Sequence, residues 1–226
     1  MSVITGAGLK EIKEGTAVYT KNGEEDTLDG DAILLATGRG PNTEGLHAQR
    51  AGVELTKRGA VVTDKHLRTT AENIWAAGDV CGNLQFTYIS LDDSRIILSD
   101  MQGDGSRTTE NRGAFAYSVF MEPSFSRAGL SEKEAADKGL NYRVVRMNTD
   151  MIPKAKVLRK TTGMLKAVID KDSGKIFGVA LFCPESYEII NMVKLAMDHD
   201  LDYTVLRDFI YTHPTMSEGL NDLFAL

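Results

Sequence analysis

A histidine–proline turn near the carboxyl terminus carries the side chains best suited to acid–base chemistry. His213 is followed directly by Pro214, and Glu218 comes five residues after the histidine. Proline fixes its own φ and disfavours helical conformation in the residue before it, so His213 is predicted to lie on a bend. An imidazole can transfer a proton near neutral pH, and a neighbouring carboxylate can hold its ring in one tautomer. The spacing therefore predicts His213 as an acid–base residue and Glu218 as the residue that orients it.

The same turn has a simpler interpretation. His213 could be an ordinary surface or interface histidine, and Glu218 could serve only as a helix cap. In either case, Thr215-x-x-Glu218 predicts a capping box that begins a closing helix. The apolar residues of that helix are Leu220, Leu223 and Phe224.

A second group of candidate residues lies where two predicted strands end. The apolar run 32–36 predicts a strand buried on both faces, and a break of small residues follows it at 37–42. A strand over 74–77 ends at Gly78, which lets the backbone turn sharply and places Asp79 at the strand's carboxyl end. Ligands bind at such positions in α/β folds, where a carboxylate can accept hydrogen bonds from sugar-type hydroxyls. A helix cap is an equally good interpretation of Asp79.

The remaining elements of the first half are predicted from turn chemistry and periodicity. Residues 16–20 form a strand followed by Asn22-Gly23, a dipeptide typical of tight hairpin turns. Residues 60–64 predict another short strand. Residues 90–101 predict a helix whose N-terminus would carry partial positive charge. The polar, Gly-rich stretch 102–106 predicts a loop and a domain boundary.

The second half has an α+β pattern. Ser131-x-x-Glu134 predicts a capping box that opens a helix ended by Gly139, and 142–147 predicts a strand. Residues 163–169 and 176–182 flank the turn Asp172-Ser173-Gly174 and predict a β-hairpin. Helices are predicted over 186–199 and 205–210. The apolar stripe of the longer helix, Ile189 to Met197, predicts a core or a subunit interface.

The composition is that of a water-soluble globular protein and narrows the classes of partner. The chain has 226 residues, which is long enough for one large domain or two small ones. Of these residues, 42% are hydrophobic and 26% are charged, as in ordinary globular proteins. A formal net charge of −6 with scattered basic residues argues against nucleic acid or an anionic membrane as partner. The apolar runs are too short to span a bilayer and residues 1–4 lack signal-peptide features, so a cytoplasmic location is expected.

The chain contains two cysteines, Cys81 and Cys183. They lack the C-x-x-C spacing and the neighbouring histidines of zinc sites, so no metal site is predicted. Two small buried thiols in a reducing compartment are the simpler interpretation.

Four motifs stand in a recognisable order along the chain. They are Ala36-Thr37-Gly38-Arg39-x-Pro41-Asn42, Ala77-Gly78-Asp79-Val80, Lys160-Thr161-Thr162-Gly163-x-x-Lys166 and His213-Pro214-Thr215-x-Ser217-Glu218. Together they resemble the C-terminal half of the class I pyridine nucleotide–disulfide oxidoreductases. This is the flavin-dependent family of glutathione reductase, dihydrolipoamide dehydrogenase and mercuric reductase. The resemblance covers essentially the whole chain.

The resemblance implies a fold class and a division into domains. A partial FAD/NAD(P)-binding, Rossmann-like α/β region would be followed by an α+β interface domain with an antiparallel sheet. Residues 1–36 would be the tail of the NAD(P)-binding domain. Residues 37–107 would be the C-terminal part of the FAD-binding domain, and residues 108–226 the dimerisation domain.

The resemblance also implies which residues contact the flavin. Asp79 matches the aspartate that hydrogen-bonds the flavin ribitol, and Gly78 lies in the same motif. Gly38 and Arg39 belong to the first motif and are assigned to the same cofactor site. Thr87 and Tyr88 fall where the next helix starts, close to the pyrimidine edge of the flavin. A helix N-terminus there would stabilise the anionic reduced flavin.

His213 matches the general acid–base residue of the family, and Glu218 matches its orienting partner. In the family this pair serves the active site of the other subunit, which implies a homodimer. The His-Pro bond is usually cis there. These implications agree with the acid–base chemistry predicted from the residue types alone.

The departures from the family pattern limit what this chain can do. It has no Gly-x-Gly-x-x-Gly fingerprint for FAD or for the nicotinamide cofactor, and Cys81 and Cys183 match neither cysteine of the redox disulfide. The chain is expected to be inactive without the other half of such an enzyme. Residues 152–157 resemble the RclA-type reductases of bacteria, which are linked to oxidants such as hypochlorous and hypothiocyanous acid.

The predicted function is therefore the C-terminal portion of an FAD-dependent NAD(P)H disulfide oxidoreductase. It would supply part of the flavin pocket, the dimer interface and the His213–Glu218 pair, and its substrate would be a small disulfide or oxidant. A non-catalytic dimerisation module is the alternative. Such a module would have no chemical need of Asp79, His213 or Glu218.

Overall fold

The computed structural model describes residues 2–226 and shows a mixed α/β chain with two antiparallel sheets. The strands are β1 (Ala7–Lys13), β2 (Thr16–Lys21), β3 (Glu24–Asp29), β4 (Ala116–Val119), β5 (Phe125–Gly129), β6 (Tyr142–Asn148), β7 (Met164–Asp170) and β8 (Ile176–Phe182). The α-helices are α1 (Thr87–Gln102), α2 (Glu132–Asp137), α3 (Pro153–Leu158), α4 (Ser186–Asp198), α5 (Tyr203–Arg207) and α6 (Gly219–Ala225). Short 3₁₀ helices cover Ala48–Ala51, Gly78–Cys81 and Thr149–Met151.

The first sheet is a three-stranded meander in the order β1-β2-β3. The predicted hairpin turn joins β2 to β3, and both Asn22 and Gly23 have positive φ, at 55° and 87°. Two consecutive residues of positive φ give the turn the twist that adjoining antiparallel strands require, and Asn-Gly tolerates it. The prediction from this dipeptide is confirmed.

The predicted buried strand at 32–36 is wrong. These residues form no strand, and Leu34 and Leu35 are 89% and 63% exposed. Hydrophobicity alone does not make a strand, because a strand needs a neighbour to pair its backbone groups. Within residues 2–226, no neighbouring strand pairs with this segment.

The predicted strands at 60–64 and 74–77 are also wrong, although the same segments do pair. They contribute only isolated antiparallel bridges, Leu55–Val61, Thr63–Thr69 and Arg68–Trp75. Turns between these bridges stop the ladders from extending. The segments instead wrap around a small core formed by Val53, Val61, Leu67, Ala76, Cys81 and Ile96.

Helix α1 confirms the predicted helix and extends it to Thr87 and Gln102. It buries Ile89, Asp93 and Ile96 on one face, spaced as a helical stripe. The polar stretch after Gln102 is a loop, as predicted. The helix therefore closes the first half of the chain before the second core begins.

The second half is built on a five-stranded antiparallel sheet in the order β4-β5-β8-β7-β6. The predicted hairpin is β7–β8, and the predicted strand at 142–147 is β6. The capping box at α2 is confirmed: Glu134 N donates to Ser131 Oγ at 3.2 Å, and Ser131 N donates to Glu134 Oε2 at 2.7 Å. Gly139 follows the helix with a φ of 65°, as a helix-ending glycine should.

Helix α4 settles the interpretation of its apolar stripe. Ile189, Ile190 and Val193 are 3%, 2% and 0% exposed and pack against β5 and β8 of the same chain. The stripe is therefore core and is not itself available to a second subunit. The second short helix, α5, begins and ends a little earlier than predicted, at Tyr203–Arg207.

Candidate functional site

The His213 turn connects α5 to α6, and polar contacts hold the segment that precedes it. Asn221 on α6 donates from Nδ2 to the carbonyls of Arg207 at 2.6 Å and Phe209 at 3.0 Å. The Tyr211 hydroxyl donates to the Leu206 carbonyl at 3.0 Å. Burial raises the pKa of Tyr211 to about 12. The contacts fix the chain on the approach to His213.

His213 and Glu218 form the predicted pair. His213 Nδ1 lies 2.9 Å from Glu218 Oε2, and the His213–Pro214 peptide bond is cis, as expected. The imidazole is 71% exposed, whereas the Glu218 side chain is only 12% exposed. Because a carboxylate can only accept, Nδ1 must carry the proton, which leaves Nε2 free toward solvent. The arrangement can therefore exchange a proton at Nε2 while Glu218 holds the ring.

The predicted capping box at the start of α6 is wrong in one half. Glu218 N donates to Thr215 Oγ1 at 3.3 Å, as the box requires. The Glu218 carboxylate bonds to His213 and does not reach back to the Thr215 backbone. The glutamate thus orients the imidazole and does not complete the cap, and helix α6 begins only at Gly219.

The second carboxylate oxygen of Glu218 could accept a further hydrogen bond. Glu218 Oε1 is buried and has no hydrogen-bond donor among residues 2–226. A buried carboxylate oxygen normally has a partner, so this oxygen has room for a further donor such as a water molecule.

The Gly78–Cys81 turn presents Asp79 to solvent. Gly78 has a φ of 75°, and a Cβ there would lie 2.6 Å from Ser90 Oγ, so only glycine fits. Gly78 N donates to Asp93 Oδ2 at 2.8 Å, and Asp93 is 3% exposed. Arg112 Nη2 donates to the other oxygen of Asp93 at 2.7 Å. This buried ion pair fixes the backbone immediately before Asp79.

Asp93 and Arg112 were not identified from the sequence, although a signal was present. Asp93 falls at helical spacing from Ile89 and Ile96, so it had to lie on the buried face of α1. A buried carboxylate needs a partner, and Arg112 supplies it from beyond the loop. The identity of that partner depended on the tertiary structure.

The first turn of α1 presents unpaired backbone donors. Thr87 and Tyr88 are exposed, and the preceding residue, Phe86, makes no side-chain cap. The Ile89 and Ser90 N–H groups donate to the Phe86 carbonyl at 3.0 and 3.2 Å, which leaves the Thr87 and Tyr88 N–H groups at the positive end of the helix dipole. This helix start can accept a polar or anionic group from outside the chain.

The predicted site residues fall into two separate groups. Gly38 and Arg39 lie on the exposed segment after the apolar run, and Gly38 has a φ of 97°. The same segment reaches the Gly78–Cys81 turn, since a Cβ at Gly82 would lie 3.9 Å from Pro41 Cγ. Within the described chain, no hydrogen bond or ion pair connects these residues to the His213 turn.

Cys81 ends the turn that carries Asp79, but its side chain is buried, and Cys183 lies outside both groups. Cys81 and Cys183 are free and buried in different cores. Residues 2–226 contain no cluster of three or more histidine, cysteine or acidic side chains that could hold a metal ion. No helix among the described residues is long and apolar enough to cross a bilayer.

Two family models match the chain. The model described as "Pyridine nucleotide-disulphide oxidoreductase" matches residues 1–94, and its "dimerisation domain" model matches residues 115–224. The first match ends within α1, and the second begins just before β4.

Curated relatives and solved structures agree with these matches. The "Probable pyridine nucleotide-disulfide oxidoreductase RclA" of Escherichia coli (strain K12) is 46% identical over 100% of this chain and 51% of its own length. A mercuric reductase of Staphylococcus aureus is 33% identical over 97% of this chain and 41% of its own length. The solved "HOCl-induced flavoprotein disulfide reductase RclA" of Escherichia coli aligns with a TM-score of 0.84 at 47% identity, covering 95% of this chain and 49% of that chain.

The matches are partial on the relatives' side. This chain spans about half the length of the curated relatives it matches. A more distant structure, LpdA from Mycobacterium tuberculosis, is 22% identical with a TM-score of 0.83 and supports the fold alone. Sequence, fold and family models together show that the chain belongs to the pyridine nucleotide-disulphide oxidoreductase family.

Proposed function

We propose that this chain is the C-terminal portion of an FAD-dependent NAD(P)H disulfide oxidoreductase. It supplies the acid–base pair His213–Glu218, part of the flavin pocket and the surface for homodimer formation. Residues 1–36 belong to the NAD(P)-binding domain, 37–107 to the FAD-binding domain and 108–226 to the dimerisation domain. The observation that carries the proposal is the 2.9 Å contact between His213 Nδ1 and Glu218 Oε2 beneath an exposed ring.

The proton chemistry follows from this geometry. Reducing a disulfide to two thiols takes two electrons and two protons, and FAD, when bound, carries the electrons from NAD(P)H to the disulfide. His213 Nε2 exchanges a proton with the thiol or substrate. Glu218 stabilises the imidazolium that forms and keeps Nδ1 as the protonated nitrogen. The Glu218 carboxylate thus keeps His213 Nε2 free to accept and release a proton in each reaction cycle.

The described residues fit a flavin on one side of its pocket. The Asp79 side chain is exposed and has no hydrogen-bond donor among residues 2–226, and the backbone turn that carries it is held by Asp93. We assign Asp79, with Gly78, to the ribitol hydroxyls. Thr87 and Tyr88, at the positive end of α1, are assigned to the pyrimidine edge of the flavin. Gly38 and Arg39 line the same side.

The reaction class and partners follow from the family together with the surface. The substrate is a small-molecule disulfide or oxidant, which agrees with relatives named as mercuric reductase and as an HOCl-induced flavoprotein disulfide reductase. The net charge of −6 agrees with a cytoplasmic enzyme that binds neither nucleic acid nor membranes. The second subunit of the dimer would receive the His213 side chain, because the imidazole points away from its own chain.

The test joins this chain, in one polypeptide, to the N-terminal portion of the Escherichia coli relative that lies outside the match. Bound flavin and NAD(P)H-dependent reduction of a disulfide are measured for the parent and for His213→Gln. We expect the parent to bind flavin and turn over, and His213→Gln to lose roughly a hundredfold in turnover with unchanged flavin content.

The control is His199→Gln, since His199 is an exposed histidine just beyond α4 and outside the site. It should behave as the parent does. Equal turnover of His213→Gln and the parent would overturn the acid–base role. A parent that dimerises but neither binds flavin nor turns over would favour the non-catalytic dimerisation module.

A further inference from the structure

A proton-transfer pair works only if both of its members keep their positions. His213 lies on an exposed bend, and Glu218 lies at the first residue before α6. The two side chains are joined by a single hydrogen bond. The backbone on both sides of the pair must therefore be held by other contacts.

One hydroxyl makes these contacts. Thr215 Oγ1 donates to the Thr212 carbonyl at 2.7 Å, immediately before His213. The same oxygen accepts from Glu218 N at 3.3 Å, at the residue that carries the carboxylate. Thr215 thus ties the backbone of both members of the pair to one atom.

The hydroxyl is also fixed in direction. Ser217 Oγ donates to Thr215 Oγ1 at 3.1 Å, so the oxygen uses its single proton and both of its acceptor positions. A hydroxyl whose donor and acceptors are all engaged has no freedom to turn. Thr215 itself is half-buried.

No other side chain does this within the turn. Asn221 and Tyr211 bond to carbonyls of residues 206–209, before the turn begins. The Met216 side chain is 1% exposed and anchors the turn by packing. Its thioether makes no hydrogen bond within the described chain that would orient the neighbouring backbone. Among residues 2–226, Thr215 provides the only side-chain hydrogen bonds to the backbone of residues 212–218.

We infer that Thr215 is a positioning residue of the His213–Glu218 pair. It holds the histidine and the glutamate at hydrogen-bonding distance and keeps the imidazole in the Nδ1–H tautomer. It acts only through the pair. The inference rests on the proposed acid–base function but is tested separately from it.

The test is nitrogen-15 NMR of the His213 ring in the full 226-residue chain, comparing the parent with Thr215→Val, Thr215→Ser and Ser217→Ala. Valine matches threonine in shape and lacks the hydroxyl. Valine removes all three hydrogen bonds of the hydroxyl. We expect Thr215→Val to lose the ordered Nδ1–H signal, or to exchange that proton at least roughly fivefold faster, the change that loss of one such bond would give. The ring would then populate both tautomers.

Two variants separate positioning from general loosening. Thr215→Ser keeps the hydroxyl and should restore the parent spectrum. Ser217→Ala removes one bond to Thr215 but leaves those to Thr212 and Glu218, which hold the backbone of the pair. Its spectrum should therefore differ from that of the parent less than the Thr215→Val spectrum does. If Thr215→Val proves too unstable to study, Thr215→Ser is compared with Glu218→Gln, which weakens the pair directly. A His213 signal that shifts as far from the parent in Thr215→Ser as in Glu218→Gln would overturn the inference.

An unchanged His213 signal in folded Thr215→Val overturns the positioning role outright. The reductase assay gives an independent outcome. If Thr215→Val loosens the ring while His213→Gln leaves turnover unchanged, the positioning stands and the acid–base function falls. If His213→Gln abolishes turnover while Thr215→Val leaves both the spectrum and turnover unchanged, the function stands and the positioning falls.

Discussion

At the scale of single residues, the two thiols show how burial suppresses chemistry that residue type alone would permit. Burial raises the pKa of Cys81 to about 11, with a smaller contribution from the Asp93 carboxylate. Burial also raises the pKa of Cys183 to about 12, with a smaller contribution from Glu185. Since the thiolate is the reactive form, both residues are inert at neutral pH. Their environment agrees with the prediction that they are structural thiols.

We predict that these thiols make folding stability fall in alkali. In the unfolded chain a thiol loses its proton near pH 9, whereas the folded thiols keep theirs to about pH 11 and 12. The unfolded state therefore binds fewer protons above pH 9, and the free energy of unfolding declines as pH rises through the folded pKa values. Each thiol contributes at most about 1.4 kcal/mol per pH unit in that window.

The measurement is urea unfolding of the parent and of a Cys81→Ala, Cys183→Ala double variant at pH 8 and pH 10.5. The parent should lose more stability between the two values than the variant does. Equal losses would show that the thiols do not titrate as described. Iodoacetamide at pH 7.5 should label neither cysteine until urea unfolds the chain.

At the scale of elements, Gly163 illustrates a position that only glycine can fill. It lies just before β7 with a φ of 132°, and a Cβ there would lie 1.9 Å from the Phe182 carbonyl oxygen at the end of β8. Its own carbonyl accepts from Thr149 N at 3.1 Å. The backbone of Gly163 therefore contacts both the end of β8 and the segment that follows β6.

We predict that Gly163→Ala destabilises the chain by about 3 kcal/mol, through an unfavourable φ combined with overpacking. Chemical unfolding monitored by circular dichroism gives the value. Gly40→Ala is the matched control, because a Cβ there meets nothing within 4 Å and the backbone is not in the left-handed region. A Gly163→Ala chain as stable as Gly40→Ala would show that these backbone contacts are looser than described.

At the scale of the whole molecule, a subunit interface has to use apolar residues other than the α4 stripe, because that stripe is buried within its own chain. Within the part matched by the dimerisation-domain model, Ile210, Leu195 and Phe209 are 93%, 59% and 52% exposed. Exposed apolar side chains that form one contiguous patch mark a surface that another molecule covers. Ile210 lies three residues before His213, so a dimer that covers it would bring the imidazole to a subunit boundary.

We predict that the chain is a homodimer at micromolar concentration in sedimentation experiments. Ile210→Asp should weaken the dimer at least tenfold, because a buried charge replaces an apolar contact. Leu98→Asp is the control, since Leu98 is 54% exposed on α1, outside the matched dimerisation domain. A monomer at all concentrations, or equal effects of the two substitutions, would contradict this assignment.

Much of the second half was predictable because its signals are local. The capping box at Ser131, the β7–β8 hairpin turn and the Tyr142 strand each depend on residues close together in the sequence, and each is confirmed. The 32–36 strand failed because pairing requires a partner strand, which apolar character does not supply. The strands at 60–64 and 74–77 failed because turns limit their ladders to single bridges.

The sequence by itself determined that His213 lies on a bend, since proline fixes its own φ and keeps the residue before it out of a helix. It also determined the turn at Gly78, where the required φ excludes other residues. Only the tertiary structure decided that Glu218 bonds to the imidazole rather than to its own helix cap, and that Asp93 and Arg112 hold the Asp79 turn. The reason is physical: a short segment limits its own backbone, but the partner of a buried charge comes from whichever distant element packs beside it.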